Sequence, residues 1–380
     1  MSFRHRIILT GGGTGGHIYP ALAVAEQLKA DESVEAILYI GAKGHLEEKL
    51  AREKNLEFVG LSVSGLPRQL SGKLVTWPFQ FFNAVNAARK EIDRFQPTAV
   101  LGTGGYASAP PLMAALLAHK KVAIHEPDAH PGLANRVFAR FARLISLGMG
   151  QASENFAQKD AWVVVNGNPV SERFLMPPNR TDALRQFGLA ENKTTILVTG
   201  GSQGAVALNK AIYDLLPMVQ QDNVPLQILH QVGEKNWQAL QANLDGELLK
   251  SSFYKPRPYF DRLEIAYAAS DLTVCRAGAM TIAELFVSGM PAIFVPYPFA
   301  AQDHQTFNAR YVEAQGGAQV IPQSELTGRR LYEAIVALHN NADKLARMKR
   351  QMLSLARPRA AVDLTEQLLR MSRQQSSSTN

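Results

Sequence analysis

Hydrophobic positions along this chain fall into short aliphatic runs, each followed by glycines or a polar turn and then by a longer amphipathic stretch. The pattern restarts near the middle of the chain, after an NGNP segment. The runs lie at residues 6–9, 36–40, 99–101 and 122–124, and again at 195–198, 226–230, 272–274 and 292–295. This alternation of short strands with amphipathic helices predicts α/β domains built on parallel sheets.

The two halves of the chain open alike. Residues 7–16 (IILTGGGTGG) and 196–204 (ILVTGGSQG) each predict a strand, a glycine-rich turn and a helix. Because this unit recurs about half a chain apart, we expect two Rossmann-like domains that face a ligand cleft. The predicted boundaries are an N-terminal domain at 1–165, a C-terminal domain at 166–345, a helical segment at 346–372 that packs back on the N-domain, and a disordered tail at 373–380.

Composition agrees with two globular domains. The 380 residues are 46% hydrophobic and 19% charged, which excludes a disordered chain. The single cysteine, Cys275, lies in an apolar run, so we expect a buried thiol in a reducing compartment. No stretch approaches the ~18 to 20 apolar residues of a spanning helix, and the first apolar run is too short for a signal peptide. Any membrane contact is therefore expected to be peripheral.

The net charge points towards acidic partners. Lys and Arg number 40 against 33 Asp and Glu, which gives a formal charge of +7. Phosphates, nucleic acid and an anionic membrane surface all remain open on this ground. Because no nucleic-acid-binding motif accompanies the charge, we do not expect nucleic acid as a partner.

The first glycine loop predicts an anion site. Gly11, Gly13 and Gly16 satisfy G-x-G-x-x-G ahead of a predicted helix, where backbone N–H groups can hold a diphosphate. The second strand does not end in the acidic residue of a nicotinamide site, although Lys43 could face a 2′-phosphate. A nicotinamide-dependent oxidoreductase therefore stays as an alternative. His17 stands where an NTPase P-loop has lysine, which excludes that class.

Further loops carry similar chemistry. Residues 102–108 and 200–204 have the same anion-binding composition. In the second half, Glu284 falls near the start of a predicted helix, where it could bind ribose hydroxyls or only compensate the helix dipole. His304 and Gln305 offer donors and acceptors for a pyrimidine edge or a sugar hydroxyl.

Two histidines, His125 and His130, raise the question of a metal. They are five residues apart with Pro127 between them, unlike the helical i, i+4 spacing of a zinc site. No Asp-x-Asp motif occurs in the sequence. We therefore expect no metal site.

A set of motifs resembles the glycosyltransferases of the two-Rossmann-domain (GT-B) type, family 28, and the resemblance runs nearly end to end. The motifs are GGTGGH at 12–17, LGTGGY at 101–106, HE at 125–126, PGLAN at 131–135, GNP at 167–169, GGSQGA at 200–205, RAGA through glutamate at 276–284, and DHQT at 303–306. In this order and spacing the combination is highly specific.

The resemblance implies inverting transfer of N-acetylglucosamine from UDP-GlcNAc to the C4 hydroxyl of N-acetylmuramic acid in polyprenyl-diphospho-MurNAc-pentapeptide. This is a step of peptidoglycan synthesis, and through it of cell shape and division. It implies no cofactor and no essential metal, since backbone N–H groups can stabilise the departing diphosphate. It places the enzyme peripherally on the cytoplasmic face of the inner membrane, with an anionic membrane surface and other cell-wall synthesis proteins as further partners.

The resemblance also implies site residues. The implied donor contacts are Thr14, Gly15 and Gly16 from the first domain, Ser202 near the diphosphate, Phe260 with Ala279, Met280, Thr281, Ile282 and Ala283 around uridine, Glu284 on the ribose, and His304 with Gln305 towards uracil and sugar. The implied acceptor contacts are Gly104, Gly105, Tyr106 and Asn135.

His17 is the predicted general base, because an imidazole can accept a hydroxyl proton near neutral pH. Glu126 is the second choice. The chain departs from the family at Asp128, where Asn is common, and at Ser171, where arginine is common and Arg173 follows two residues later. We nevertheless predict that Asp128 and Ser171 contact the donor. For Ser171 this prediction rests only on its position in the family motif.

An aromatic stretch at 74–82 (LVTWPFQFF), flanked by basic residues, predicts a surface for anionic lipid headgroups. Its proposed membrane residues are Trp77, Phe79, Phe81 and Phe82. An ordinary core helix is the alternative. A related lipid glycosyltransferase with a diacylglycerol acceptor is a second alternative for the function; it would differ near Tyr106 and Asn135.

Overall fold

The computed structural model describes residues 3–65, 73–156, 161–201, 203–243 and 246–374. The described residues form two compact units. The first takes those up to 171 and those from 357 onward, and the second takes those between 172 and 356. The α/β prediction with two Rossmann-like domains is confirmed.

The first unit is built on a parallel sheet, seven-stranded within the described residues, in the order β3-β2-β1-β4-β5-β6-β7. Its strands are β1 (His5–Thr10), β2 (Val34–Ala42), β3 (Glu57–Leu61), β4 (Ala99–Gly102), β5 (Val122–Glu126), β6 (Leu144–Leu147) and β7 (Trp162–Val165). The helices between them are α1 (Gly15–Ala30), α2 (Leu46–Glu53), α3 (Lys73–Phe95), α4 (Ala109–Leu117) and α5 (Leu133–Ala139).

Both faces of this sheet are covered. On β1, Ile8 packs with Val100 and Ile124 under α3, α4 and α5. Its neighbours Ile7 and Leu9 point to the opposite face and pack against α1. A strand that is buried on both faces needs an unbroken apolar run rather than alternation, which is why the hydrophobic pattern locates these strands.

The second unit repeats the plan with a sheet that has six described strands, ordered β10-β9-β8-β11-β12-β13. The strands are β8 (Thr194–Thr199), β9 (Leu226–Gln231), β10 (Tyr254–Arg257), β11 (Leu272–Cys275), β12 (Ala292–Phe294) and β13 (Ala318–Val320). The helices are α6 (Arg180–Phe187), α7 (Val206–Gln221), α8 (Glu234–Asn243), α9 (Gly246–Lys250), α10 (Leu263–Ala268), α11 (Ala279–Val287), α12 (His304–Ala314), α13 (Gly328–His339) and α14 (Ala342–Leu355).

A final helix, α15 (Ala360–Arg373), belongs to the first unit. Its Leu364 and Leu368 are buried in the same core as α1 and the α1-facing side of β1. Gln367 and Asn166 exchange two amide hydrogen bonds, of 2.7 and 3.0 Å. The last helix therefore supplies part of the core of the first unit.

The strand order reverses between β1 and β4 in the first sheet and between β8 and β11 in the second. Loops that leave two such strands diverge and open a crevice at the carboxyl edge, where α/β proteins bind ligands.

Cys275, at the end of β11, is buried as predicted, and burial raises the pKa of its thiol, so it is not a nucleophile. Among the described helices none is long and apolar enough to span a membrane.

Candidate active site

Two glycine loops meet at the reversal point of the first sheet. They follow β1 and β4, which are hydrogen-bonded neighbours. Gly12 N–H donates to the Gly104 carbonyl over 3.3 Å, and the Thr103 hydroxyl donates to the His17 carbonyl over 2.5 Å. The two predicted loops therefore form one substructure.

Glycine is required where the loops touch. Gly105 has φ +80°, and a Cβ atom there would lie 2.0 Å from the Gly12 carbonyl oxygen. At Gly104 a Cβ atom would lie 2.7 Å from the ring of His17. The loops approach as closely as they do because both positions lack side chains.

His17 lies in the first turn of α1, and its ring packs along the second glycine loop. Its Nδ1 is 3.2 Å from the Thr14 hydroxyl, so Thr14 helps to orient the ring. The helix begins at Gly15, its first turn has no acidic residue, and Thr14 makes no side-chain cap bond. Gly15 and Gly16 thus place an α-helix amino end, with its partial positive charge, beside the imidazole.

Tyr106 and Asn135 take different positions around this centre. The Tyr106 ring is half-buried and lies over Gly13, at 2.8 Å from where a Cβ of that glycine would be. Asn135 is buried beside Gly104 and donates to Glu126 over 2.9 Å. Its Oδ1 has no hydrogen-bond partner among the described residues.

Glu126 anchors the loop that follows β5. One carboxylate oxygen accepts the Asp128 N–H at 2.9 Å, and the other accepts the Gly132 N–H at 3.0 Å as well as the Asn135 amide. Burial, with the nearby Asp128 charge, raises the pKa of Glu126 to about 8. Both oxygens are engaged within the loop, a geometry that suits positioning better than proton transfer from a substrate. Asp128 is itself buried.

His125 is a buried structural residue. Its ring nitrogens lie 3.0 Å from the Ser146 hydroxyl and 2.9 Å from the Asn168 amide oxygen. Burial lowers its pKa to about 4, so the ring is neutral at physiological pH. Within the described residues, no group of three or more His, Cys, Asp and Glu side chains is placed to hold a metal ion.

Acidification from pH 7.5 to 5 is expected to destabilise the first unit through His125. Its folded pKa of about 4 lies below the ordinary 6.5, so the unfolded chain binds the proton first. The contribution of neutral His125 to the free energy of unfolding is complete above pH 6.5 and is lost as the pH falls towards 4. At pH 5 this loss is about 2 kcal/mol. Hydrogen exchange of the β5 amides at both pH values, corrected for intrinsic rates, measures it. Over the same pH change, the free energy of unfolding of His125→Gln should fall by about 2 kcal/mol less than that of wild type. An equal fall in both proteins would show that the effect does not come from His125.

The second unit has its own glycine loop, at residues 200–204 after β8. Ser202, predicted near the diphosphate, lies outside the described residues. Gly201 is hydrogen-bonded through its carbonyl to the side chain of Gln231. Phe260 is buried, and its ring packs edge-on against Phe187.

Helix α11 starts directly after the β11 loop. Four predicted donor residues on it have buried side chains, namely Ala279, Met280, Ile282 and Ala283. Only the backbone of these residues is suited to ligand contact, while Thr281 and Glu284 are half-buried.

Glu284 is shaped by its surroundings. The Tyr267 hydroxyl donates to its carboxylate over 3.4 Å. Burial raises the pKa of Glu284 to about 7, an effect that the charge of Arg173 opposes. Arg173 also donates to the Asp261 carbonyl over 3.3 Å, beside Phe260. Ser171, in contrast, is a half-buried residue of the first unit.

His304 and Gln305 begin α12. The Gln305 side-chain oxygen accepts the N–H groups of Ala277 at 3.2 Å and Tyr297 at 3.0 Å. It therefore joins the loops that follow β11 and β12, a structural task that the sequence does not indicate. His304 is half-buried in the first turn.

Three supporting residues were given no role of their own by the sequence analysis: Thr103, Gln231 and Arg276. Arg276 donates to the carbonyls of Val295 and Pro296, over 2.9 and 3.1 Å. Each of the three stands at or just after the end of a buried strand. A polar side chain at that position is the signal that could have revealed them.

The predicted membrane aromatics divide into two pairs. Phe79 and Phe82 are 72% and 63% exposed. Trp77 and Phe81 stack on each other with centroids 5.2 Å apart, and Phe81 packs against the core. Phe81 therefore fits the core-helix alternative, whereas Phe79 and Phe82 lie at the surface, and their contact with lipid stays a prediction.

Neighbouring helices extend this surface. Helix α3 packs on α4, α4 packs on α5, and all three cover one face of the sheet. Their exposed apolar side chains include Leu117 on α4 and Leu133 and Val137 on α5. Arg136 and Arg140 are exposed on and beside α5. We call these apolar residues, with Phe79 and Phe82, the α3–α5 surface.

Two Rossmann-like units, each with a glycine loop at the reversal point of its sheet, form the GT-B architecture, in which nucleotide-sugar glycosyltransferases are built. Residues 7–146 match the model of the glycosyltransferase family 28 N-terminal domain, and residues 195–364 match that of its C-terminal domain. The chain belongs to glycosyltransferase family 28.

Curated relatives share one name, "UDP-N-acetylglucosamine--N-acetylmuramyl-(pentapeptide) pyrophosphoryl-undecaprenol N-acetylglucosamine transferase". The protein of Halothermothrix orenii is 41% identical over 93% of this chain and 95% of its own length. That of Bacillus pumilus is 36% identical over 94% and 97%.

Solved structures agree. MurG of Acinetobacter baumannii superposes with a TM-score of 0.76 at 30% identity, over 97% of this chain and 99% of that one. A UDP-GlcNAc 2-epimerase from Neisseria meningitidis, with a TM-score of 0.65 at 14% identity over 96% and 100%, shares the fold alone.

Proposed function

We propose that this protein transfers N-acetylglucosamine from UDP-GlcNAc to the C4 hydroxyl of N-acetylmuramic acid in polyprenyl-diphospho-MurNAc-pentapeptide. The names of the curated relatives, matched over more than nine-tenths of the chain, support this choice of substrates. The observation that carries the chemistry is His17, held by Thr14 against two interlocked glycine loops at an uncapped helix start.

On the acceptor side, we place the lipid-linked diphosphate against the glycine loops of the first unit. Gly104 is buried and Gly105 half-buried, neither has a side chain that would separate the loop from His17, and Tyr106 borders the same loop. Asn135 lies beside Gly104 and is held by its hydrogen bond to Glu126. Because a helix amino end stabilises anions, the start of α1 suits a phosphate group.

On the donor side, we place uridine diphosphate at the carboxyl edge of the second sheet. We assign the diphosphate to the loop that holds Gly200, Gly201 and Gly204, and the uracil to the first turn of α11, where helix N–H groups lie ahead of the first intrahelical bonds. The Glu284 carboxylate accepts hydrogen bonds from the ribose of the donor, since a carboxylate can accept bonds from two hydroxyl groups. His304 and Gln305 border the sugar. Asp128 and Ser171 are assigned here only by their positions in the motif.

In the proposed reaction the acceptor O4 attacks the anomeric carbon from the face opposite UDP. The new carbon–oxygen bond forms as the bond to the diphosphate oxygen breaks, which inverts the configuration. His17 accepts the O4 proton, and the UDP oxygen takes up the negative charge beside backbone N–H groups.

A direct assay tests this function. Labelled UDP-GlcNAc and a short-chain lipid-linked muramoyl-pentapeptide are incubated with the enzyme, and label is followed into the lipid fraction. Transfer with β-1,4 stereochemistry supports the proposal. Transfer to diacylglycerol instead would favour the related lipid glycosyltransferase, and oxidation of a nicotinamide cofactor would favour the oxidoreductase.

We further propose that the α3–α5 surface contacts the anionic cytoplasmic face of the membrane that holds the acceptor. Exposed Phe and Leu side chains beside Arg136 and Arg140 match the apolar and charged layers of a bilayer interface. Contact on this unit would bring the acceptor's glycine loops to the lipid.

A double Phe79→Ser, Phe82→Ser substitution is expected to weaken binding to phosphatidylglycerol vesicles by about 10-fold or more, because two exposed rings lose their apolar contact. Vesicle co-sedimentation measures this. Phe299→Ser is the matched control, since Phe299 is also 72% exposed but lies in the second unit. Equal loss in the control would remove the assignment. Phe81→Ser should instead lower the unfolding temperature.

A further inference from the structure

A buried glutamine that takes no direct part in the proposed reaction joins two loops on the donor side. Gln231 is the last residue of β9, and only 3% of it is exposed. Its side-chain amide donates to the Gly201 carbonyl over 3.0 Å and to the Thr199 hydroxyl over 3.2 Å. Its oxygen accepts the Phe260 N–H over 3.0 Å.

These partners fix the orientation of the amide. A backbone N–H can only donate and a carbonyl can only accept, so Oε1 faces Phe260 and Nε2 faces Gly201. A carboxylate has no proton for Gly201, and an aliphatic side chain satisfies none of the three contacts. Glutamine is thus suited to join these two loops at this distance.

The two loops have different roles in the proposed function, on which this inference rests. In the proposed function the loop that holds Gly200 and Gly201 faces the donor diphosphate, and the family resemblance implies that Phe260 borders the uridine. We propose that Gln231 is a positioning residue that sets the distance between the two loops, so that the site selects uridine diphosphate as one unit. It contacts no substrate atom itself.

Gln231→Met is expected to raise the KM for UDP-GlcNAc about 10-fold while kcat changes less than about 3-fold, because donor binding is disturbed and the proposed general base, His17, is not. Selectivity for uracil over other nucleobases should fall as well. We expect the ratio of the inhibition constants of ADP and UDP to drop by about 10-fold. The KM for the lipid acceptor should stay at the wild-type value.

The same strand offers a matched control. Gln227 is equally buried on β9 and also makes three side-chain bonds, two with the Ala190 backbone and one with Thr195. It stands at the amino end of the strand, away from the ligand edge. Gln227→Met should therefore lower the unfolding temperature about as much as Gln231→Met but leave the KM for UDP-GlcNAc and the ADP-to-UDP ratio unchanged.

Gln231→Glu gives a second test should the methionine variant fail to fold. When ionised it keeps the volume and the acceptor for Phe260 but opposes the Gly201 carbonyl, whereas a protonated buried carboxyl can donate to that carbonyl. The donor KM should therefore rise with pH, by 10-fold or more where the carboxyl is ionised. If wild type transfers GlcNAc and the folded Gln231 variants keep its donor KM and base selectivity, the inference is wrong. If wild type neither binds UDP nor transfers, the proposed function fails, and the inference with it.

Discussion

His17→Ala is expected to lower kcat by about 100-fold or more while UDP-GlcNAc binds with nearly its wild-type affinity. A general base typically contributes 10²- to 10⁴-fold, and the imidazole belongs to the first unit rather than to the donor loops of the second. Steady-state kinetics with a soluble short-chain acceptor give kcat. Titration calorimetry gives the donor affinity independently.

The control for His17 is His119→Asn. His119 is exposed in a turn after α4 with φ +53°, a conformation that asparagine adopts readily. It should retain wild-type kcat. If His17→Ala turns over at the wild-type rate, the proton goes elsewhere, and Glu126 becomes the next group to test.

The second large effect is expected from Gly105→Ala. A Cβ atom there would stand 2.0 Å from the Gly12 carbonyl oxygen at a φ of +80°, so the two glycine loops must separate. Displacement of a reacting group by about 1 Å can cost 10²-fold in rate. We therefore expect kcat/KM for the acceptor to fall by about 100-fold, with a lower unfolding temperature.

Gly44→Ala separates backbone strain from loop packing. Gly44 has a similar φ of +76°, but a Cβ atom there would meet nothing within 4 Å. This variant should lose about 1 kcal/mol of stability from its left-handed conformation and keep its activity. If both variants lose activity alike, strain rather than the interlocked loops explains the effect.

Much of the fold was open to sequence analysis for one physical reason. Parallel strands covered on both faces, such as β1 and β8, are continuous apolar runs, and glycines mark the turns that follow them. The recurrence of that unit predicted both domains. The family motifs then predicted the enzyme class, which the comparisons confirm.

The site was only partly predictable. His17 and the glycine loops stand out because their spacing is local. Sequence could not separate Phe79 from Phe81, since two residues on one helix differ only in what packs against them. Sequence could mark Gln231 as a polar residue at the end of a buried strand, but it could not show its partners, which lie 29 and 30 residues away. Contacts between loops depend on the strand order, which local patterns do not encode.

Helix α15 has a consequence for biosynthesis. The entire second unit is translated between the body of the first unit and the helix that completes its core. While the ribosome makes that intervening stretch, the α1-facing side of β1 and β4 lacks Leu364 and Leu368. We expect the nascent first unit to expose this apolar groove until α15 emerges, which makes the growing chain a client for chaperones.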